Sequence, residues 1–215
     1  MNKKILLIGG GGHCKSVLDT LLLLNEYKEI AIVDLYENIG KSIMEIPIIG
    51  SDTDLSYLFK DGYKFAFITM GSIGNSKLRI KLYDEISSIG FNIPNIIDIS
   101  ANVSNFTKLG KGIFIGKKSI VNAGVIVGNG AIINTGSIIE HDCKIGEFVH
   151  IAPGAILGGA VEIGKNSHVG SGAIIKQQIN IGDNSIIGMG SVVTKGIGSN
   201  KKAYGNPCRE VNDYE

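Results

Sequence analysis

Val127-Gly128-Asn129-Gly130-Ala131-Ile132, Ile133-Asn134-Thr135-Gly136-Ser137-Ile138, Ile139-Glu140-His141-Asp142-Cys143-Lys144: these three successive blocks of six each open on an aliphatic residue and carry a small residue fifth. Stepping outward by six in both directions, all seventeen positions from Ile97 to Val193 are Ile, Leu or Val. Chance gives such a run with a probability on the order of 10⁻⁸. Four residues after each anchor a second row is mostly small, including Ser119, Ala131, Ser137, Cys143, Ala155 and Ser167. Gly often follows the anchor, as at Gly110, Gly116, Gly146 and Gly164. No heptad or helical period fits. A short strand that turns every six residues, three strands to a coil, makes a triangular column in which both rows point inward. Strand spacing of about 4.8 Å makes residues 96–198 a column of nearly six coils, roughly 27 Å tall.

Residues 1–95 have another rhythm. Lys4–Ile8 reads as a buried strand, and Gly9-Gly10-Gly11-Gly12-His13 leads into an apolar helix through Asn25. A strand at Ile30–Val33 ends in Asp34, and a third spans Lys64–Thr69. A helix over Asn75–Ser88 carries Leu78, Leu82 and Ile86. Strand–helix alternation predicts a small Rossmann-like parallel α/β domain. Its Gly-rich turn, opening a helix, suits a phosphate. A full dinucleotide fingerprint would need its last Gly at Cys14 or Lys15. Asp34, at the end of the second strand, stands where such folds hold a ribose or base. Residues 199–215 read as a C-terminal tail.

Composition narrows the class. Apolar residues make up 44% and charged residues 19%, as in folded soluble chains, and the formal charge of +1 offers no basic surface for nucleic acid. The apolar runs at Ile5–Ile8 and Leu21–Leu24 are too short for a signal peptide or membrane insertion. Cys14, Cys143 and Cys208 are odd in number and show no metal-like spacing, which fits a cytoplasmic protein.

The glycine-opened α/β domain, the hexad repeat, the stretch Ile139-Glu140-His141-Asp142-Cys143 and the ending Gly205-Asn206-Pro207-Cys208-Arg209 together resemble the NeuD/PglD sugar acyltransferases. That resemblance implies a left-handed parallel β-helix, whereas general crossover rules favour the right hand. It also implies a homotrimer and an acetyl-CoA-dependent transfer to the amino group of a nucleotide-linked amino sugar. O-acetylation of a sialic acid is the alternative acceptor chemistry.

His141 lies two residues past an anchor, so it points away from the packed interior. Its neighbours one coil away, Ala123 and Gly159, are small, leaving a notch beside an imidazole suited to proton transfer near neutrality. The resemblance makes His141 the general base, Asp142 its carboxylate and the Gly159 N–H the donor to the thioester oxygen. It further implies acetyl-CoA contacts at His150, Ser171 and Met189, and nucleotide-sugar contacts at Gly11, Gly12, His13 and Asp34. Asn134 is a candidate for placing the acceptor. The family often has two acidic residues at the Asp34 position; here the second is Leu35, and Cys208 replaces the usual Ala. His150 and His168, eighteen apart, should stack on one outward face. A γ-carbonic-anhydrase-like metal site is a remote alternative, but it needs two His five apart on one side, and the sequence has no such pair. No metal is expected. Cys143 falls on the inward row as core, and Cys14 in the glycine loop.

Overall fold

The structure, a computed structural model, describes residues 3–211. These form two compact units, one of residues up to Gly71 with Lys77–Ile99, the other of Ser72–Ser76 with Ser100 onward.

The first unit runs β1 (Lys4–Ile8), α1 (Gly12–Leu24), β2 (Glu29–Val33), β3 (Ser42–Ile43), β4 (Ile46–Gly50), α2 (Leu55–Lys60), β5 (Phe65–Ile68) and α3 (Lys77–Ile89). Its sheet has the order β3-β4-β2-β1-β5, parallel except for the β3–β4 hairpin. Ile5–Ile8 are wholly buried, as a central parallel strand covered on both faces requires an unbroken apolar run. Val17, Leu18 and Leu21 bury one side of α1, and Asn25 ends it in a left-handed conformation with its N–H on the Leu21 carbonyl. Strand β4 escaped the sequence reading. Pro47 near its start and a hairpin turn through Met44 and Glu45, both at positive φ, break the pattern a reader looks for.

The second unit is a parallel β-helix. Pairing steps by eighteen throughout its coils: Ile120 with Ile138, Ile126 with Lys144, Ile132 with His150. Anchors from Val121 onward are buried, whereas Val103 and Leu109 in the first coil are only half-buried. Inward hydroxyls are satisfied locally, as Ser137 Oγ donates to the Asn134 carbonyl at 2.7 Å and Ser167 Oγ to that of Gly182 at 2.7 Å.

Two rows of glycine arise for different reasons. The residue three past each anchor adopts positive φ at every turn from Gly112 to Gly190, which favours Gly, Asn or Asp. The residue just after the anchor faces backbone instead: a Cβ on Gly146 would lie 2.6 Å from the Lys165 nitrogen of the next coil. Residues beyond 198, expected as a tail, contain an antiparallel hairpin of Lys202–Gly205 and Cys208–Val211. Its first strand extends the third face by pairing with Ile186–Ile187. Residues 212–215 of that tail lie outside the described residues.

Candidate active site

His141 stands at a corner of the β-helix, two residues past the buried anchor Ile139, with its side chain 65% exposed. Its main chain is clamped: its carbonyl accepts from Ala160 N–H at 2.8 Å, and Asp142 N–H donates to the Ala123 carbonyl at 3.1 Å. Asp142 takes the left-handed conformation (φ 60), which Asp tolerates better than most residues. Its Oδ2 lies 2.9 Å from His141 Nδ1. Gly124, one coil earlier, makes room for this carboxylate, since a Cβ there would strike Asp142 Oδ1.

A carboxylate on Nδ1 selects the tautomer with the proton on that nitrogen, leaving the Nε2 lone pair free. That edge of the ring lies over Gly159. A Cβ on Gly159 would come within 2.6 Å of Nε2 and 2.7 Å of Cε1. The flanking N–H groups of Gly158 and Ala160 are engaged with Ile175 and His141. The Gly159 N–H itself donates no hydrogen bond among the described residues. A proton acceptor and an uncommitted N–H donor therefore adjoin one groove of about 410 Å³ that Gly158, Gln177 and Gln178 also line.

The other expected acetyl-CoA residues are placed as follows. Ser171 and Met189 occupy one corner of successive coils, with Gly190 N–H donating to the Ser171 carbonyl at 2.9 Å; Met189 is 82% exposed. His150 does face off the column and pairs with His168, ring centroids 4.9 Å apart and edge to face. The two stack on one face as expected, but neither is open to solvent: each is only 7% exposed. For His150 the cover is Ser72: Nδ1 donates to the Ser72 carbonyl at 2.9 Å, and Nε2 lies 3.3 Å from Asn134 Nδ2. Asn134 thus neighbours His150, with its Oδ1 accepting from Thr135 N–H. Burial lowers the His168 pKa, and its Nδ1 has no hydrogen-bond partner among the described residues.

In the α/β unit a second cavity of about 410 Å³ is lined by Gly9 through His13, Asp34, Leu35, Asp52, Thr69, Met70 and Leu78. Gly9 (φ 104) and Gly10 are needed by the fold, since Cβ atoms there would strike Met70 and the Asp34 carboxylate. Gly11 and Gly12 face open space, with nothing within 4 Å of a Cβ. Gly11 caps α1 without a side-chain bond, and no acidic residue occupies the first turn. The helix dipole at this open N-terminus suits an anion there. Asp34 is largely spent on structure, accepting from Gly10 N–H at 3.1 Å, Leu35 N–H at 2.7 Å and Asn38 Nδ2 at 3.4 Å.

Cys14 is not in the loop, as expected, but in the first turn of α1, where it packs fully buried. Burial pushes its thiol and that of Cys143 up to about 11. Asp52 and the Ser72–Ser76 segment went unnoticed in the sequence because neither carries a periodic or motif signal. Among the described residues no group of three His, Cys, Asp or Glu could hold a metal ion, and no helix is long and apolar enough to cross a membrane.

Residues 4–86 match the PglD N-terminal domain family. Residues 142–177 match the bacterial transferase hexapeptide family, and 107–141 and 160–195 the hexapeptide repeat of succinyl-transferase. The β-helix is accordingly the left-handed kind. The fold is similar to PerB from Caulobacter crescentus, solved with CoA and GDP-perosamine (33% identity, 97% of each chain covered, TM-score 0.91). It is also similar to the acetyltransferase domain of PglB from Neisseria gonorrhoeae, solved with acetyl coenzyme A (33% identity, 98% of this chain and 100% of that one, TM-score 0.92). WeeI from Acinetobacter baumannii matches at 25% identity over 98% and 100% of the two chains, with a TM-score of 0.86.

Proposed function

Because this chain belongs to the NeuD/PglD-like sugar acetyltransferase family, we propose that it moves acetyl from acetyl-CoA to the amino group of a nucleotide-linked amino sugar. The observation that carries this reading is the His141 ring, held by Asp142 at one nitrogen and free at the other, against an uncommitted Gly159 N–H. The α/β cavity with its bare Gly11 and Gly12 takes the nucleotide diphosphate on the α1 N-terminus, with His13 and Asp34 beside it.

Transfer is direct. The acceptor amine attacks the thioester carbonyl carbon, and its proton passes to His141 Nε2. The oxyanion takes the Gly159 N–H while the Asp142 carboxylate stabilises the imidazolium. Collapse of the adduct breaks the C–S bond, and the imidazolium returns the proton to the CoA thiolate. His150, Ser171 and Met189 contribute to the acetyl-CoA site, and Asn134 to acceptor placement. The close match to PerB, solved with CoA and GDP-perosamine, supports both acetyl-CoA as co-substrate and an amino sugar as acceptor.

The enzyme works as a homotrimer in the cytoplasm. The outward stripe Ile120, Ile138, Ile156, Ile174 and Val192, with Ile120 and Ile174 still 36% and 44% exposed, supports self-association through this face. Three free buried thiols fit a reducing compartment.

The test is thiol release from acetyl-CoA with nucleotide 4-amino sugars and, separately, free sialic acids. Turnover with the amino sugars alone is expected. Turnover with sialic acids alone moves the assignment to O-acetylation, and activity lost to a chelator returns a metal site.

A further inference from the structure

The α/β cavity contains more acceptors than the fold uses. Of its side chains, Asp34 is committed to Gly10, Leu35 and Asn38, and Thr69 Oγ1 donates to the Gly9 carbonyl at 2.5 Å. Asp52 differs. It lines the same cavity, yet its carboxylate forms no hydrogen bond and no ion pair among the described residues. Nor is it needed by its own turn: Asp54 closes the capping box, accepting from Ser51 N–H at 2.8 Å and Ser51 Oγ at 3.1 Å. Partial burial raises the Asp52 pKa, the Lys81 charge opposes this, and Asp34 adds to it. Asp52 is exposed at the cavity wall, so its carboxylate oxygens stand available to a ligand that brings a pair of donors.

We infer that Asp52 reads the nucleobase, and that the base is guanine. The inference rests on the nucleotide-sugar reading above and names the nucleotide. An ionised carboxylate offers two acceptor oxygens and no donor. Guanine presents adjacent donors, N1–H and the N2 amino group, which meet both oxygens at once. Uracil and thymine present one N–H between two carbonyls, so a second carboxylate oxygen would face an acceptor. Adenine and cytosine pair a donor with an acceptor and fail likewise. Discrimination comes from repulsion of the wrong edge as much as from attraction of the right one. Leu35, Met70 and Leu78 supply the apolar surface a planar ring requires.

The test is calorimetric titration of the full chain and its Asp52→Asn variant with GDP, inosine diphosphate and UDP. Inosine diphosphate keeps N1–H and lacks only the 2-amino group. Each hydrogen bond to a charged group is worth at least about tenfold in affinity. We expect the wild type to bind GDP at least ~30-fold more tightly than UDP and about tenfold more tightly than inosine diphosphate. Asp52→Asn should weaken GDP at least about tenfold, bring GDP and inosine diphosphate together, and leave UDP within about threefold. UDP binding as tightly as GDP, or a GDP-to-inosine ratio unmoved by the substitution, overturns the inference while leaving the nucleotide reading standing. Failure of all three nucleotides to bind removes both.

Discussion

Gly159→Ala isolates the geometry of the base from the stability of the column. Gly159 has an ordinary backbone conformation, since its φ is not among the positive ones, so Ala is tolerated there. The three atoms nearest the added methyl all belong to the His141 ring, Nε2 at 2.6 Å, Cε1 at 2.7 Å and Cδ2 at 3.3 Å. Ordinary contact needs about 3.5 Å, so the ring must retreat by about 1 Å. The ring is largely solvent-exposed and can swing, which keeps the cost to folding within about 0.5 kcal/mol. A displacement of about 1 Å at a reacting group costs on the order of 10²-fold in rate. Thiol release from acetyl-CoA at saturating substrates should therefore fall about 100-fold in Gly159→Ala, with the thermal midpoint unchanged. In a His141→Ala background the same substitution should cost less than about threefold, because there is no ring left to displace. Retention of rate within about threefold in the single variant would refute the placement of Nε2 over Gly159.

Further outcomes follow from the fold. Gly136→Ala, at φ 66 with open space around it, should cost about 1 kcal/mol in urea unfolding, whereas Gly146→Ala, facing the backbone of Gly164 and Lys165, should cost two to three times as much. Equal losses would mean that the two glycine rows are not distinct. His168 is held neutral by burial, so its folded pKa lies below the unfolded value near 6.5. The unfolded state then binds more protons, and the stability linked to this residue is present above pH 6.5 and lost as the pH falls below it. Urea midpoints of His168→Asn should decline less between pH 7 and 5 than those of the parent. Cys14 and Cys143, with thiols pushed up to about 11, should resist iodoacetamide at pH 8 in the folded protein and react fully in denaturant, as read by mass spectrometry.

The column was legible because its physics is periodic. Every sixth residue must fill the same three-sided interior, so Ile97 through Val193 declare it without reference to any neighbour. The same arithmetic placed Gly159 beside His141, and the glycine contact bears this out. What stayed hidden depends on aperiodic segments. Ser72–Ser76 has no pattern, yet its Ser72 carbonyl covers His150, turning an apparently open histidine into a buried one. Strand β4 carries a proline, and the hairpin Lys202–Gly205 with Cys208–Val211 departs from the six-residue step. Asp34 is recognisable as a strand-end carboxylate, but only coordinates reveal that its oxygens brace Gly10 and Leu35. Asp52 sits in a short turn among other acids, where sequence cannot separate the capping residue from the uncommitted one.

The most direct measurement is the turnover number of His141→Ala with acetyl-CoA and a nucleotide amino sugar, alongside binding constants for both. If this imidazole takes the amine proton, turnover falls by about 10³ while both substrates bind as before. Turnover within about fivefold of the parent enzyme would mean that the proton leaves by another route.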